Sequence, residues 1–142
     1  MRIILILLIL SQCSIKNEQS EWETIFNGKN LDGWTVKIKG YPTGDNFGNT
    51  FKVVDEAIQV SYENYDNFDF KFGHIYYTEK KYKNYHLKLE YKFFGNQAIG
   101  GEGWATKNSG IMFHSQHPET MLIDQSFPVS LEAQFLGGLG DG

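Results

Sequence analysis

The sequence holds a single cysteine, Cys13, among its 142 residues. An intramolecular disulfide is therefore impossible, and so is a zinc site built from several thiolates. A folded domain here must rest on burial and hydrogen bonding alone. Basic clusters are missing too. Lys and Arg number 13 against 17 Asp and Glu, the net charge is -4, and no basic run occurs. Because phosphate backbones are bound by clustered Lys and Arg, nucleic acid is excluded as an expected partner. No Gly-x-Ser-x-Gly elbow is present, which argues against a serine hydrolase of that kind. The glycine-rich stretch from Gly95 to Gly110 lacks a following Gly-Lys-Ser/Thr, so it does not read as a phosphate loop.

Long apolar runs are absent as well. The longest, Ile3 to Leu10, follows Arg2 and precedes small and polar residues. A membrane-spanning helix needs about 20 apolar residues, whereas a secretory signal needs a basic start and about 7–15. Residues 1–13 therefore read as a signal peptide, the alternative being a buried N-terminal helix. Leu10-Ser11-Gln12-Cys13 also resembles a bacterial lipoprotein signal, although Gln12 stands where Gly, Ala or Ser is usual. Lipid on Cys13 would tether the protein to a membrane surface without spanning it. Polar residues 14–21 form a linker in this reading, and 22–142 form the domain. The expected location is the periplasm or the cell surface, with membrane contact only through such an anchor.

Aromatics, by contrast, are abundant: eight Tyr, eleven Phe and three Trp. Strands favour them and sugars stack on them, so they suit a β-fold, a sugar binder, or both. Beyond residue 20 no amphipathic helix is legible. Apolar residues alternate with period two, and turn residues punctuate them at Asn27-Gly28, Asp32-Gly33, Thr43-Gly44-Asp45, Gly95-Asn96 and Gly100 to Gly103. The expected strands are 50–54, 57–62, 74–78, 85–94, 110–115 and 129–135.

Alternation sorts three of these strands into two faces. Tyr85, Leu87, Leu89 and Tyr91 oppose His86, Lys88, Glu90 and Lys92. Ile111 and Phe113 oppose Met112 and His114, while Val129, Leu131, Ala133 and Phe135 oppose Ser130, Glu132 and Gln134. As neighbours in one sheet, these strands would bring Glu90, His114, Glu132 and Gln134 onto a common polar surface. That surface is either a water-facing side of an antiparallel sheet or, in a jelly-roll sandwich, a cleft. Residues 61–70 carry Glu63, Asn64, Asp66, Asn67 and Asp69, oxygen donors that calcium accepts. They lack EF-hand spacing and read first as a solvated loop.

Four segments then resemble one family in order and spacing. They are Phe26-Asn27-Gly28-Lys29-Asn30-Leu31-Asp32-Gly33-Trp34, the strand Tyr85 to Lys92, Asn108-Ser109-Gly110-Ile111-Met112-Phe113-His114, and Gln125 to Gly138 with its Glu132-Ala133-Gln134 core. The family is that of the 3-keto-disaccharide hydrolase domain. The resemblance implies an all-β, concanavalin-like jelly-roll β-sandwich of two antiparallel sheets. It also implies a hydrolase, here one expected to be exported on the strength of its signal, acting on an oligosaccharide or glycoside oxidised at C3. A C3 ketone acidifies the C2 proton, so a base can form the enolate and expel the C1 oxygen, after which water adds back. Such a site needs a base, donors for the enolate oxygen and an acid for the leaving group.

Carried onto this chain, the resemblance makes Glu132 the base and Gln134 a donor or substrate binder. Glu90 becomes a second acid or a structural partner of Lys88 and Lys92. His114 stands where many members carry Arg; it would donate to an oxyanion, ligate a metal or only hydrogen-bond. Asn108 and Trp104 belong to the loop end of a strand and suit sugar contact. No cofactor is required, a divalent metal at His114 and Glu132 being the alternative. A non-catalytic carbohydrate-binding module is the competing function, since the fold is shared by binders. The expected strands also stop short of a whole sandwich, which predicts exposed apolar faces, open edges and low stability for the isolated chain.

Overall fold

A computed structural model describes residues 22–138. Among them lie six strands: β1 (Trp34–Ile38), β2 (Phe51–Val54), β3 (Ala57–Val60), β4 (Gly73–Tyr77), β5 (Asn108–Phe113) and β6 (Leu131–Leu136). Three single-turn 3-10 segments, Phe47–Asn49, Gly103–Ala105 and Pro118–Thr120, complete the regular structure. The described residues are all-β, as the alternation predicts, and every ladder among them is antiparallel, as the resemblance implies. Its strands pair as β1–β4, β2–β3 and β5–β6. Each ladder is two strands wide, so the broad sheets of a jelly roll are not formed among the described residues. The signal and lipidation readings, including Cys13, lie outside these residues.

The small core follows from strand alternation. Val36 and Ile38 on β1 and Phe51 on β2 are buried together, with Leu31, Tyr41, Phe47, Ile58 and Ile75 packed around them. Each such side chain contributes about 1.5–3 kcal/mol on burial. The β2–β3 hairpin turns on Asp55 and Glu56, both at positive φ (48° and 59°). That handedness matches the strand twist, and here it is met without glycine.

The opposite face of β1–β4 is buried too, which alternation did not foretell. Lys37 is 1% exposed. Its ammonium donates to the carbonyls of Ile38 (3.0 Å), Tyr41 (3.1 Å) and Ile123 (3.1 Å), so the buried charge is hydrogen-bonded on three sides. Burial lowers its pKa, and Asp124 opposes that shift. Opposite Lys37 in register is His74, whose Nε2 donates to the Ser126 carbonyl at 2.9 Å. Tyr76 donates to the Met121 sulfur at 3.0 Å, and burial pushes its phenol up to about 12. Residues 116–129 are thereby held against the outer face of β4. Gln116 N–H donates to the Val129 carbonyl at 2.7 Å, closing this loop where it returns to β6.

The expected strand 85–94 requires correction. Its residues belong to no ladder, and no backbone hydrogen bond joins residues 83–96 to another described residue. The alternation is real, yet the segment joins none of the three two-stranded ladders. Tyr85, Leu87, Leu89 and Tyr91 therefore stay exposed. The segment instead leans on β6 through Tyr91, which stacks on Phe135 at 4.2 Å and 9°. Strand β1 is the converse omission: Trp34, Val36 and Ile38 alternate with Thr35 and Lys37, yet the segment is not among the expected strands.

Candidate functional site

Directly opposed residues of an antiparallel pair project to the same side. In the β5–β6 register, Asn108 faces Leu136, Gly110 faces Gln134, and Met112 faces Glu132. One face of this ladder thus carries Asn108, Gly110, Met112, Glu132, Gln134 and Leu136. The other carries Ser109, Ile111, Phe113, Leu131, Ala133 and Phe135. Four residues named from the sequence gather on or beside the first face, and two do not.

The Glu132 side chain is exposed and lies across Gly110. A Cβ placed on Gly110 would stand 2.8 Å from Glu132 Cγ and 2.9 Å from Cδ, so the carboxylate arm occupies the space that an alanine methyl would fill. Beside it, Gln134 Nε2 donates to Asn108 Oδ1 at 3.1 Å, and Asn108 Nδ2 donates to the Trp104 carbonyl at 3.0 Å. A carboxylate and two linked amides therefore follow one another along the same face, the second amide bonded to the Trp104 backbone. The Gln134 carbonyl oxygen remains available to accept, and an amide has two donors, so the pair can bind hydroxyls as well as each other.

His114 and Glu90 stand apart from this group. β5 ends at Phe113, and His114 takes φ of 51°, which breaks the alternation that would have set it beside Glu132. Its imidazole instead lines a cavity of about 620 Å³ together with Ile111, Phe113 and Ala133, on the other face of the ladder. Residues 83–87 form the far wall of that cavity. Glu90 belongs to the unpaired segment that leans over the same face through Tyr91. The pairing of His114 with Glu132 considered for a metal is therefore not assembled. Among the described residues, no three His, Cys, Asp or Glu side chains cluster closely enough to hold an ion. In the candidate calcium loop, Glu63 pairs with Lys52 (2.6 Å) and Asp69 with Lys71 (2.8 Å).

Sequence reasoning passed over three participants. Gly110 was read as part of a motif, yet its missing Cβ is what seats Glu132. Phe72 and Phe127 flank Trp104, and nothing in their spacing separates them from core aromatics. The Trp104 ring lies over Phe72 at 5.6 Å and 23°, and Phe127 lies 4.8 Å from Phe72. Phe127 is held in place by its neighbour Ser126, through His74, and by its own carbonyl, which accepts from Gln125 Nε2 at 2.7 Å.

The family described as the 3-keto-alpha-glucoside-1,2-lyase-like domain matches residues 21–141. The chain belongs to that family. The match bears out the resemblance carried by the four sequence segments, and it takes in all six strands and the whole Glu132–Asn108 face of this lyase-like domain. No curated protein matches the chain, and no solved structure does. The family's description names a 1,2-lyase of a 3-keto-α-glucoside. An elimination of that kind asks for one base at C2 and polar groups near the ketone.

Proposed function

We propose that this chain acts on 3-keto-glycosides, with Glu132 as the base that removes the C2 proton. The supporting observation is the exposed Glu132 carboxylate, laid over Gly110 beside the Asn108–Gln134 amide pair. Proton removal leaves an enolate, whose negative charge sits on the C3 oxygen. The amide N–H groups supply donors for that oxygen, where charge develops during the reaction. The electron pair then forms a C1–C2 double bond as the C1–O bond breaks. The departing oxygen takes a proton from water at this open face. Addition of water across the new double bond completes a net hydrolysis.

A binding module remains the second reading on one specific observation. The β5–β6 ladder carries a single carboxylate, and Glu90 does not join it. Replacing Glu132 by Gln separates the two readings. An enzyme loses turnover of a 3-keto-α-glucoside, by roughly the 10²–10⁴-fold that a positioned general base contributes, and keeps its affinity. A binder shows altered affinity and no turnover in either form.

Export belongs to the same proposal, supported by Arg2, the apolar run Ile3 to Leu10 and Cys13. Expressed in a bacterium with its first 21 residues, the protein should take up radiolabelled palmitate and sediment with membranes, and Cys13→Ser should do neither. Equal labelling of the two would refute lipidation at Cys13.

A further inference from the structure

The net charge of -4 conceals a basic stretch within the chain. From Lys80 to Phe94 stand five of the 13 Lys and Arg, but only one of the 17 Asp and Glu, Glu90. Lys80 pairs with Glu23. Lys81, Lys83, Lys88 and Lys92 are exposed and pair with no acid among the described residues. Interleaved with them are Tyr85, Leu87, Leu89, Tyr91 and Phe94, each 43–61% exposed even though Tyr91 stacks on Phe135. Apolar side chains so exposed and so close together in the chain mark a surface that another body covers.

Charge decides which body that is. A second copy of the chain would set four more lysines against these four, and like charges repel. A bilayer of acidic lipids does the opposite. Each lysine near it gains attraction, while aromatic and leucine side chains enter the headgroup layer between the lysines. The long lysine stems keep their ammonium groups among the phosphates as the apolar groups sink deeper. The backbone fits the same depth. No backbone hydrogen bond joins residues 83–96 to another described residue, so their N–H and C=O groups need water. The headgroup layer holds water and the hydrocarbon does not.

We propose that residues 80–94 are a docking strip for the surface of an anionic lipid bilayer. The strip acts whether or not Cys13 is lipidated, and with that lipid it supplies the second, basic signal that lasting attachment takes. Its residues 83–87 face Ile111, Phe113 and Ala133 across the 620 Å³ cavity. Glu132 belongs to the opposite face of the same ladder, so docking turns the Glu132 face toward the solution.

The test uses the full chain carrying Cys13→Ser, which takes up no lipid. Its partition is measured into vesicles of phosphatidylcholine, alone or mixed with phosphatidylglycerol. The ratio of the two partition coefficients isolates the response to anionic lipid, because the apolar run Ile3 to Leu10 contributes to both. Adding Lys88→Gln and Lys92→Gln should lower that ratio by about thirtyfold, at about 1 kcal/mol per lysine. Lys29→Gln with Lys107→Gln makes the same change in net charge outside the strip and should leave the ratio nearly intact. Leu89→Gln should weaken binding to the mixed vesicles by about fivefold. Salt should abolish the preference of the parent chain. An absent preference, or one that falls equally in both lysine pairs, would overturn the strip. A dimer seen by sedimentation without vesicles, and lost in Leu89→Gln, would give the surface to a second copy and overturn it too. The altered residues are exposed, and matched urea midpoints establish that the variants fold.

Discussion

At the scale of single residues, the site turns on an absence. Gly110 takes no unusual φ, so its lack of a side chain matters for space rather than for backbone freedom. Gly110→Ala would set a methyl group within 2.8–2.9 Å of the Glu132 arm. Such a contact must be relieved, and the flexible carboxylate arm will move before the paired backbone does. Stability should change by less than about 1 kcal/mol, as for surface substitutions in general. Turnover should fall by as much as about 100-fold, the penalty for displacing a reacting group by about 1 Å. Steady-state kinetics beside urea unfolding checks this. Undiminished turnover would mean that Glu132 works from another position, or not at all.

At the scale of elements, β4 and the loop 116–129 depend on each other through His74. Burial pushes the His74 imidazole below its ordinary value of 6.5, Lys37 adds to that shift, and the bond to the Ser126 carbonyl opposes it. The unfolded chain therefore takes up a proton as the pH drops through 6.5, while the folded chain resists until lower pH. Stability is complete above pH 6.5 and is lost as the pH falls from there toward the lower folded value. Urea midpoints measured on both sides of that pH should show the loss, and His74→Phe should flatten it. A wild-type midpoint that does not move would contradict a desolvated His74.

Much of the element structure was legible from alternation and turn chemistry, but only where burial was one-sided. The strands at 51–54, 57–60, 73–77 and 131–136 lie within one or two residues of their expected positions. The alternation in β1 was overlooked, and what it could not have shown is that Lys37 is buried, satisfied by the carbonyl of Ile123, 86 residues away in the chain. No local pattern can reveal such a partner. Segment 85–94 failed in the opposite sense, since a good strand pattern does not by itself decide whether a segment pairs. On the β5–β6 ladder, the shared side of Glu132 and Gln134 was readable from a period of two. His114 was misplaced, because the positive φ after Phe113 depends on how the strand ends.

At the scale of the whole molecule, the two faces of the β5–β6 ladder do different work. One packs loosely beneath the 83–94 segment, with Tyr91 on Phe135 as its tie. The other carries a carboxylate and two amides. Membership of the 3-keto-alpha-glucoside-1,2-lyase-like domain family gives this open face its proposed chemistry. The claim at its centre is that the C2 proton of a 3-keto-glycoside leaves to Glu132. The most direct test follows methyl 3-keto-α-glucoside, deuterated at C2, beside its unlabelled form and the corresponding unoxidised glucoside. Methanol release should be slower from the deuterated ketone, absent from the unoxidised sugar, and lost in Glu132→Gln. Equal release from both isotopic forms at limiting substrate, or unimpaired release by Glu132→Gln, would contradict it.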